Sequence, residues 1–144
     1  LAERGVWRHA MTALQLLASL RERRWRVAFW LAVAAGIVLA LWPQPDPSEP
    51  WFEGADKVEH ALSFALLLWM GRRAGYRKAP ALTIGLLALG GGIELAQGLT
   101  ATRSADWIDW LADAVGIALG WAVTWLGSRG RAEHSIGLEQ EHGR

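Results

Sequence analysis

From Trp25 to Trp42 the chain reads WRVAFWLAVAAGIVLALW, an apolar run whose single charge, Arg26, sits at its start; Pro43, Pro45, Pro47 and Pro50 then bar a helix from continuing. A bilayer core about 30 Å thick asks for roughly 20 such helical residues, with about 17 to 25 tolerated. Three further stretches approach that length: Val58–Gly71, Pro80–Thr100, which opens on a proline suited to a first helical turn, and Trp107–Gly127. A mean hydropathy of +0.14 in a chain carrying 15 basic and 14 acidic residues requires this segregation of apolar from charged residues. The pattern predicts an all-α fold, a four-helix transmembrane bundle with spans at about 25–42, 58–71, 80–100 and 107–127.

The flanks read differently. Residues 1–24 form a basic leader in which Val6, Trp7, Ala10, Met11, Leu14, Leu17 and Ala18 recur at helical steps, so a short amphipathic helix lying on the membrane surface is expected before the first span. That span lacks a small-x-small cleavage pattern after it and reads as a retained anchor. Residues 128–144 are polar, glycine-punctuated and aperiodic, and are expected to be a disordered tail. The absence of cysteine excludes disulfide scaffolds, thiol catalysis and cysteine-based zinc sites. A net charge of +1 is no nucleic-acid footprint.

Basic residues beside membrane spans stay cytoplasmic. Arg21, Arg23, Arg24 and Arg26 precede the first span, Arg72, Arg73, Arg77 and Lys78 join the second to the third, and Arg129 and Arg131 follow the fourth. The intervening loops are acidic or mixed. Both termini are therefore expected in the cytoplasm, with four crossings.

In that topology the polar residues share one depth. Asp56, Lys57 and His60 enter the second span from outside, Glu94 and Gln97 leave the third toward outside, and Asp109 and Asp113 enter the fourth from outside. Asp106, Asp109, Asp113, Gly116 and Gly120 step by three and four along one face of a helix, as do Gly90, Glu94 and Gln97, while Asp56, His60, Ser63 and Phe64 form the third stripe. Glycines at such steps let helix backbones approach closely in lipid, so these faces are expected to meet. An acidic side chain at mid-bilayer depth costs about 2.5–3.5 kcal/mol on insertion scales and persists where it is paired or lines a wet cavity. Against Asp56, Glu94, Asp106, Asp109 and Asp113 stand only Lys57, Arg103 and His60. The excess of acid calls for a shared proton or for a divalent cation among the carboxylates.

The ordered set Asp56-Lys57-x-x-His60-x-x-x-Phe64, Glu94-x-x-Gln97 and Arg103-x-x-Asp106-x-x-Asp109-x-x-x-Asp113-x-x-Gly116-x-x-x-Gly120 resembles the VanZ-like family of small integral membrane proteins, named for a teicoplanin-resistance protein. The resemblance covers roughly residues 56 to 120. It implies a four-span bacterial membrane protein of the cell envelope, in one case lowering sensitivity to a glycopeptide antibiotic. The chain departs from the pattern at Asp113, where many relatives carry Asn.

Two functions follow from the cluster. One is a binding pocket for a membrane lipid or lipid-linked glycan precursor, formed by Asp56, Lys57, His60, Glu94, Gln97, Arg103, Asp106, Asp109 and Asp113, with Lys57 and Arg103 meeting phosphate and the carboxylates meeting hydroxyls. The other is an enzyme in which Glu94 or Asp109 serves as general base and His60 shuttles the proton. Ser63 and Ser104 lack a GxSxG turn or triad spacing, so the residues offer binding groups more clearly than a nucleophile. A conduction path is not expected, because the polar residues stop halfway across. His60 with carboxylates would suit a hard or borderline divalent ion, although a single intramembrane histidine argues against zinc hydrolysis.

Overall fold

The computed structural model describes residues 2–43, 54–100 and 105–142, with side chains described for 15–43, 54–100 and 105–129. Four helices account for them: α1 (Ala2–Ala40), α2 (Ala55–Arg73), α3 (Ala79–Gly98) and α4 (Trp107–His142). The fold is all-α, and no strand occurs among the described residues. Two segments, Ala79–Gly98 and Trp107–Arg129, are long and apolar enough to cross a membrane, with mean hydropathies of 1.5 and 1.3. Helix α1, whose apolar run ends at Ala40 and is preceded by Arg23, Arg24 and Arg26, and α2, whose first turns carry Asp56, Lys57, Glu59 and His60, are not among them.

Helix α1 runs without a break through the expected surface helix and the first span, because LRERRW between them contains neither proline nor glycine. Helix α4 likewise continues to His142, through residues expected to be a disordered tail; no proline stops it. These are the two places where the helical structure exceeds the sequence reading.

Helix α2 ends in a Schellman motif. Gly75 takes φ +85°, the Tyr76 N–H donates to the Gly71 carbonyl at 3.1 Å, and the Gly75 N–H donates to Arg72 at 3.3 Å. The turn this makes is anchored to α1: Arg26 Nε donates to the Ala74 carbonyl at 2.9 Å, and Trp30 Nε1 donates to the Tyr76 hydroxyl at 2.9 Å. At the opposite end of the bundle Gln97 Nε2 donates to the Ala40 carbonyl at 3.0 Å, satisfying an end carbonyl of α1 from α3. Helix α1 thus runs beside the rest of the bundle from the Arg26 level to Ala40.

The most extensive pairing is α2 with α4. Their order of contact shows that they run parallel: Lys57 meets Asp109, Gly116 lies against the Ala61 carbonyl and Gly120 against Ala65 and Leu68. Helix α3 is antiparallel to α2, with Leu82 against Gly71 and Gly90 beside Phe64. Phe29, Phe64, Leu67, Leu68, Leu82, Leu86 and Ile117 fill the interior, while Leu31, Leu39, Leu62, Ile84, Leu95 and Leu119 face outward. So large an exposed apolar surface is what a bilayer, not water, accommodates.

Candidate functional site

The cluster is assembled at the bundle end where α2 and α4 begin and α3 finishes. Gly54, in the left-handed region at φ +84°, caps α2, so Asp56 sits inside the first turn and is no cap residue. Helix α4 is capped by Asp106, whose Oδ1 accepts from the Ile108 N–H at 2.9 Å. Its other oxygen faces Lys57. Helix α3 sends Glu94 toward the same corner, where Oε2 accepts from the Asp106 N–H at 2.8 Å. Glu94 therefore fixes the start of α4 as well as contributing charge.

Lys57 Nζ lies 2.9 Å from Asp56, 3.1 Å from Asp109 and 3.3 Å from Asp106. Its ammonium has three donors, matched by three carboxylates. The hydrogen bond from Lys57 holds the Asp56 carboxyl below its usual range, and the hydrogen bonds to Asp56 and Asp109 push the Lys57 ammonium well above its own. Lys57 thus meets the acids as their countercharge, with one carboxylate for each of its donors.

Deeper by one turn, His60 Nδ1 lies 2.8 Å from Asp113 Oδ1. Its Nε2 stands 4.0 Å from Asp109 Oδ2, too long for a hydrogen bond. Asp113 is completely buried and Glu94 is 6% exposed. One oxygen of each, Glu94 Oε1 and Asp113 Oδ2, has no hydrogen-bond partner among the described residues. Asp113 Oδ2 lies against Gly90, where a Cβ would collide with it. One ligand atom each from His60, Glu94 and Asp109 comes within 4.8 Å of the others.

Of the residues singled out in the sequence, Lys57, His60, Glu94, Asp106, Asp109 and Asp113 are brought together, and Asp56 joins them from an exposed position on the rim. Gln97 is buried but turned to the end of α1, so it ties helices and does not face the cluster. Ser63, expected on the shared stripe of α2, is exposed. At about 100° per residue it falls roughly 60° to one side of His60, whereas Phe64 and Lys57 fall about 40° and 60° to the other, the side that meets α4. Arg103 and Ser104 lie outside the described residues. The residue that sequence reasoning underrated is Gly90: it was assigned to helix contact, and the space it leaves is taken by the Asp113 carboxylate.

The carboxylate–imidazole pair, the acid-bound ammonium and the orphaned oxygens can receive hydroxyls or a cation, or can orient the His60 ring for proton transfer. No curated protein and no solved structure matches the chain. A model of the family VanZ/LLP1 matches residues 13–128, a range that contains every residue of the cluster. With that match and two helices apolar enough to cross a bilayer, the chain is a membrane protein and belongs to the VanZ/LLP1 family.

Proposed function

We propose that the protein crosses a bacterial inner membrane four times with both termini in the cytoplasm, and that its acidic cluster, at outer-leaflet depth, binds the polar head of a lipid or lipid-linked envelope precursor. The observation that carries this is the convergence of Lys57, His60, Glu94, Asp109 and Asp113 from three helices, two of which are apolar enough to span a bilayer. Paired and partly orphaned carboxylates at that depth cost insertion free energy that packing alone does not recover. Because Lys57 is already matched by acids, the site favours a head rich in hydroxyls, such as a sugar, whose O–H groups donate to carboxylates. Occupancy of a lipid-linked glycan in this way would shield it from a glycopeptide such as teicoplanin.

Protein extracted from membranes with its lipids and analysed by native mass spectrometry is expected to carry a lipid-linked glycan that Glu94→Gln loses while keeping its helical content. Equal lipid loading of Glu94→Gln sinks the reading. Expression in a teicoplanin-sensitive bacterium gives the cellular counterpart: wild type raises the inhibitory concentration and Glu94→Gln does not.

A second reading is favoured by one contact. The Asp113–His60 pair resembles the orienting half of an acid–base relay, which would let His60 Nε2 move a proton in a reaction on the same lipid head. Ser63 is turned outward and supplies no nucleophile there. Conversion of the bound lipid to a new mass, abolished by His60→Gln with binding retained, would establish that reading over simple binding.

A further inference from the structure

We infer that His60, Glu94 and Asp109 form a binding site for a divalent transition-metal ion of the zinc or manganese type, with Asp113 as the residue that positions the histidine. The inference uses the cluster described above but not the identity of any lipid, and it stands or falls separately from head-group binding.

Three independent features point to a cation. The first is the orphaned Oε1 of Glu94, on a side chain 6% exposed, with no donor to it among the described residues. A buried carboxylate oxygen without a partner costs about 1–3 kcal/mol or more, and a metal ion removes that cost outright. The second is the spacing. His60 Nε2 and Asp109 Oδ2 are 4.0 Å apart, which excludes a hydrogen bond and is a few tenths of an ångström more than the roughly 3.3–3.6 Å between two ligands on one tetrahedral ion with bonds of about 2.0–2.2 Å. With Glu94 the set closes within 4.8 Å, so side-chain rotations bring all three onto a common ion.

The third feature is the arrangement behind the histidine. A metal-bound imidazole usually donates its other N–H to a carboxylate, which fixes the ring and raises the basicity of the ligating nitrogen. His60 Nδ1 at 2.8 Å from the fully buried Asp113 meets that requirement and turns Nε2 toward Glu94 and Asp109. A histidine held in this way by a carboxylate with no solvent access has its ligating lone pair directed, not free to rotate.

The donor set also selects the ion. One imidazole and two carboxylates suit zinc, manganese or ferrous iron better than magnesium or calcium, which prefer oxygen alone. Charge agrees: among the described residues five carboxylates, Asp56, Glu94, Asp106, Asp109 and Asp113, face Lys57 and His60. With His60 neutral as a ligand, Lys57 leaves an excess of four negative charges, of which a doubly charged ion offsets half. Three protein ligands leave at least one coordination position for water or an oxygen of a ligand.

The test uses the full chain in detergent, stripped with a chelator and freed of lipid. Titration with Zn²⁺ and with Mn²⁺ by calorimetry is expected to show one equivalent bound, with Mg²⁺ and Ca²⁺ at least tenfold weaker. Co²⁺ is expected to give the visible absorption of a nitrogen- and oxygen-ligated ion. His60→Gln, Glu94→Gln and Asp109→Asn each lower affinity at least tenfold, and Asp113→Asn lowers it about 10–100-fold while leaving the number of sites at one. Glu22→Gln, paired with Arg26 and Arg77 at the opposite end of the bundle, leaves it unchanged. Helical circular dichroism identifies any variant that fails to fold, and the remaining variants then decide. Absence of saturable Zn²⁺ or Mn²⁺ binding, or binding that His60→Gln and the two carboxylate variants leave as it was, overturns the inference; lipid retention by the same stripped and reloaded samples reports on head-group binding separately.

Discussion

Asp113 is buried to the last oxygen, and its two oxygens live different lives. Oδ1 faces His60 at 2.8 Å, and Oδ2 rests against the bare Cα of Gly90 with no donor among the described residues. Asp113→Asn keeps an acceptor for the His60 N–H, so unfolding in detergent is expected to shift by under about 1.5 kcal/mol, the difference between a charged and a neutral hydrogen bond. Asp113→Leu strands His60 and is expected to cost about 3–5 kcal/mol, as loss of one member of a buried pair does. A Leu variant as stable as the Asn variant would show that the pair does not hold the helices. Gly90→Ala places a methyl where Oδ2 now lies and is expected to destabilise by about 1–3 kcal/mol, an overpacking cost measured by the same unfolding assay. The residues that meet here were legible from their steps of three and four, since that spacing puts Asp109, Asp113 and Gly116 on one face whatever they touch. The side of His60 that faces α4 was not. Spacing within α2 places Asp56, Ser63 and Phe64 on one broad stripe, and only the packing of α4 decides that Phe64 and Lys57 turn inward while Ser63 turns out.

At the scale of the helix, the ends do more than the middles. Lys57 joins the first turn of α2 to the cap and first turn of α4, and the linked ionisations define a pH window. Asp56 has its folded value depressed below 3.8, so its contribution is present above that pH and is lost as pH falls through the folded value. Lys57 has its folded value raised above 10.5, so its contribution is complete below that pH and is lost as pH rises through the folded value. The stability difference between wild type and Lys57→Gln is therefore expected to be flat from about pH 4 to about pH 10 and to shrink on both sides, read from melting temperatures in detergent. A difference that changes steadily across neutral pH contradicts the arrangement. The other end of α2 depends on Gly75, whose φ of +85° costs a residue with a Cβ about 1–2 kcal/mol; the Glu22 carboxylate, 2.9 Å from where that Cβ would stand, adds to it. Gly75→Ala is thus expected to weaken the α1–α2 junction measurably in the same assay. The element boundaries show what local sequence can and cannot convey. The start of α3 was marked by Pro80 and the end of α1 by Pro43, whereas nothing in LRERRW marks a boundary, and none exists. The tail after Gly127 has low apolar content, which argues about packing and not about whether its backbone is helical.

For the whole molecule, the question is whether α1 and α2, less apolar than α3 and α4, also cross the membrane. Pairing supports the proposal that they do. Helix α2 lies parallel to α4 from the Lys57–Asp109 contact to Gly120 packed on Ala65 and Leu68, so wherever that part of α4 lies in the bilayer, α2 lies beside it. Helix α1 is tied to the basic end by Arg26 and Ala74 and to the acidic end by Ala40 and Gln97, the full height of the bundle. Arg72, Arg77 and Lys78 gather at the first of these ends and Asp56, Asp106 and Asp109 at the other, the separation that keeps basic residues in the cytoplasm. Because the chain contains no cysteine, single introduced thiols report topology without background. Ser48→Cys is expected to react with a membrane-impermeant maleimide added outside intact spheroplasts, and Ser128→Cys only after the membrane is opened. If α3 and α4 alone crossed, the α1–α2 connection would lie on the same side as Ser128 and both thiols would stay silent until lysis. That result would separate α2 from the bilayer depth of α4, which the Lys57–Asp109 and Gly116–Ala61 contacts do not permit, and would remove the membrane setting on which head-group binding depends.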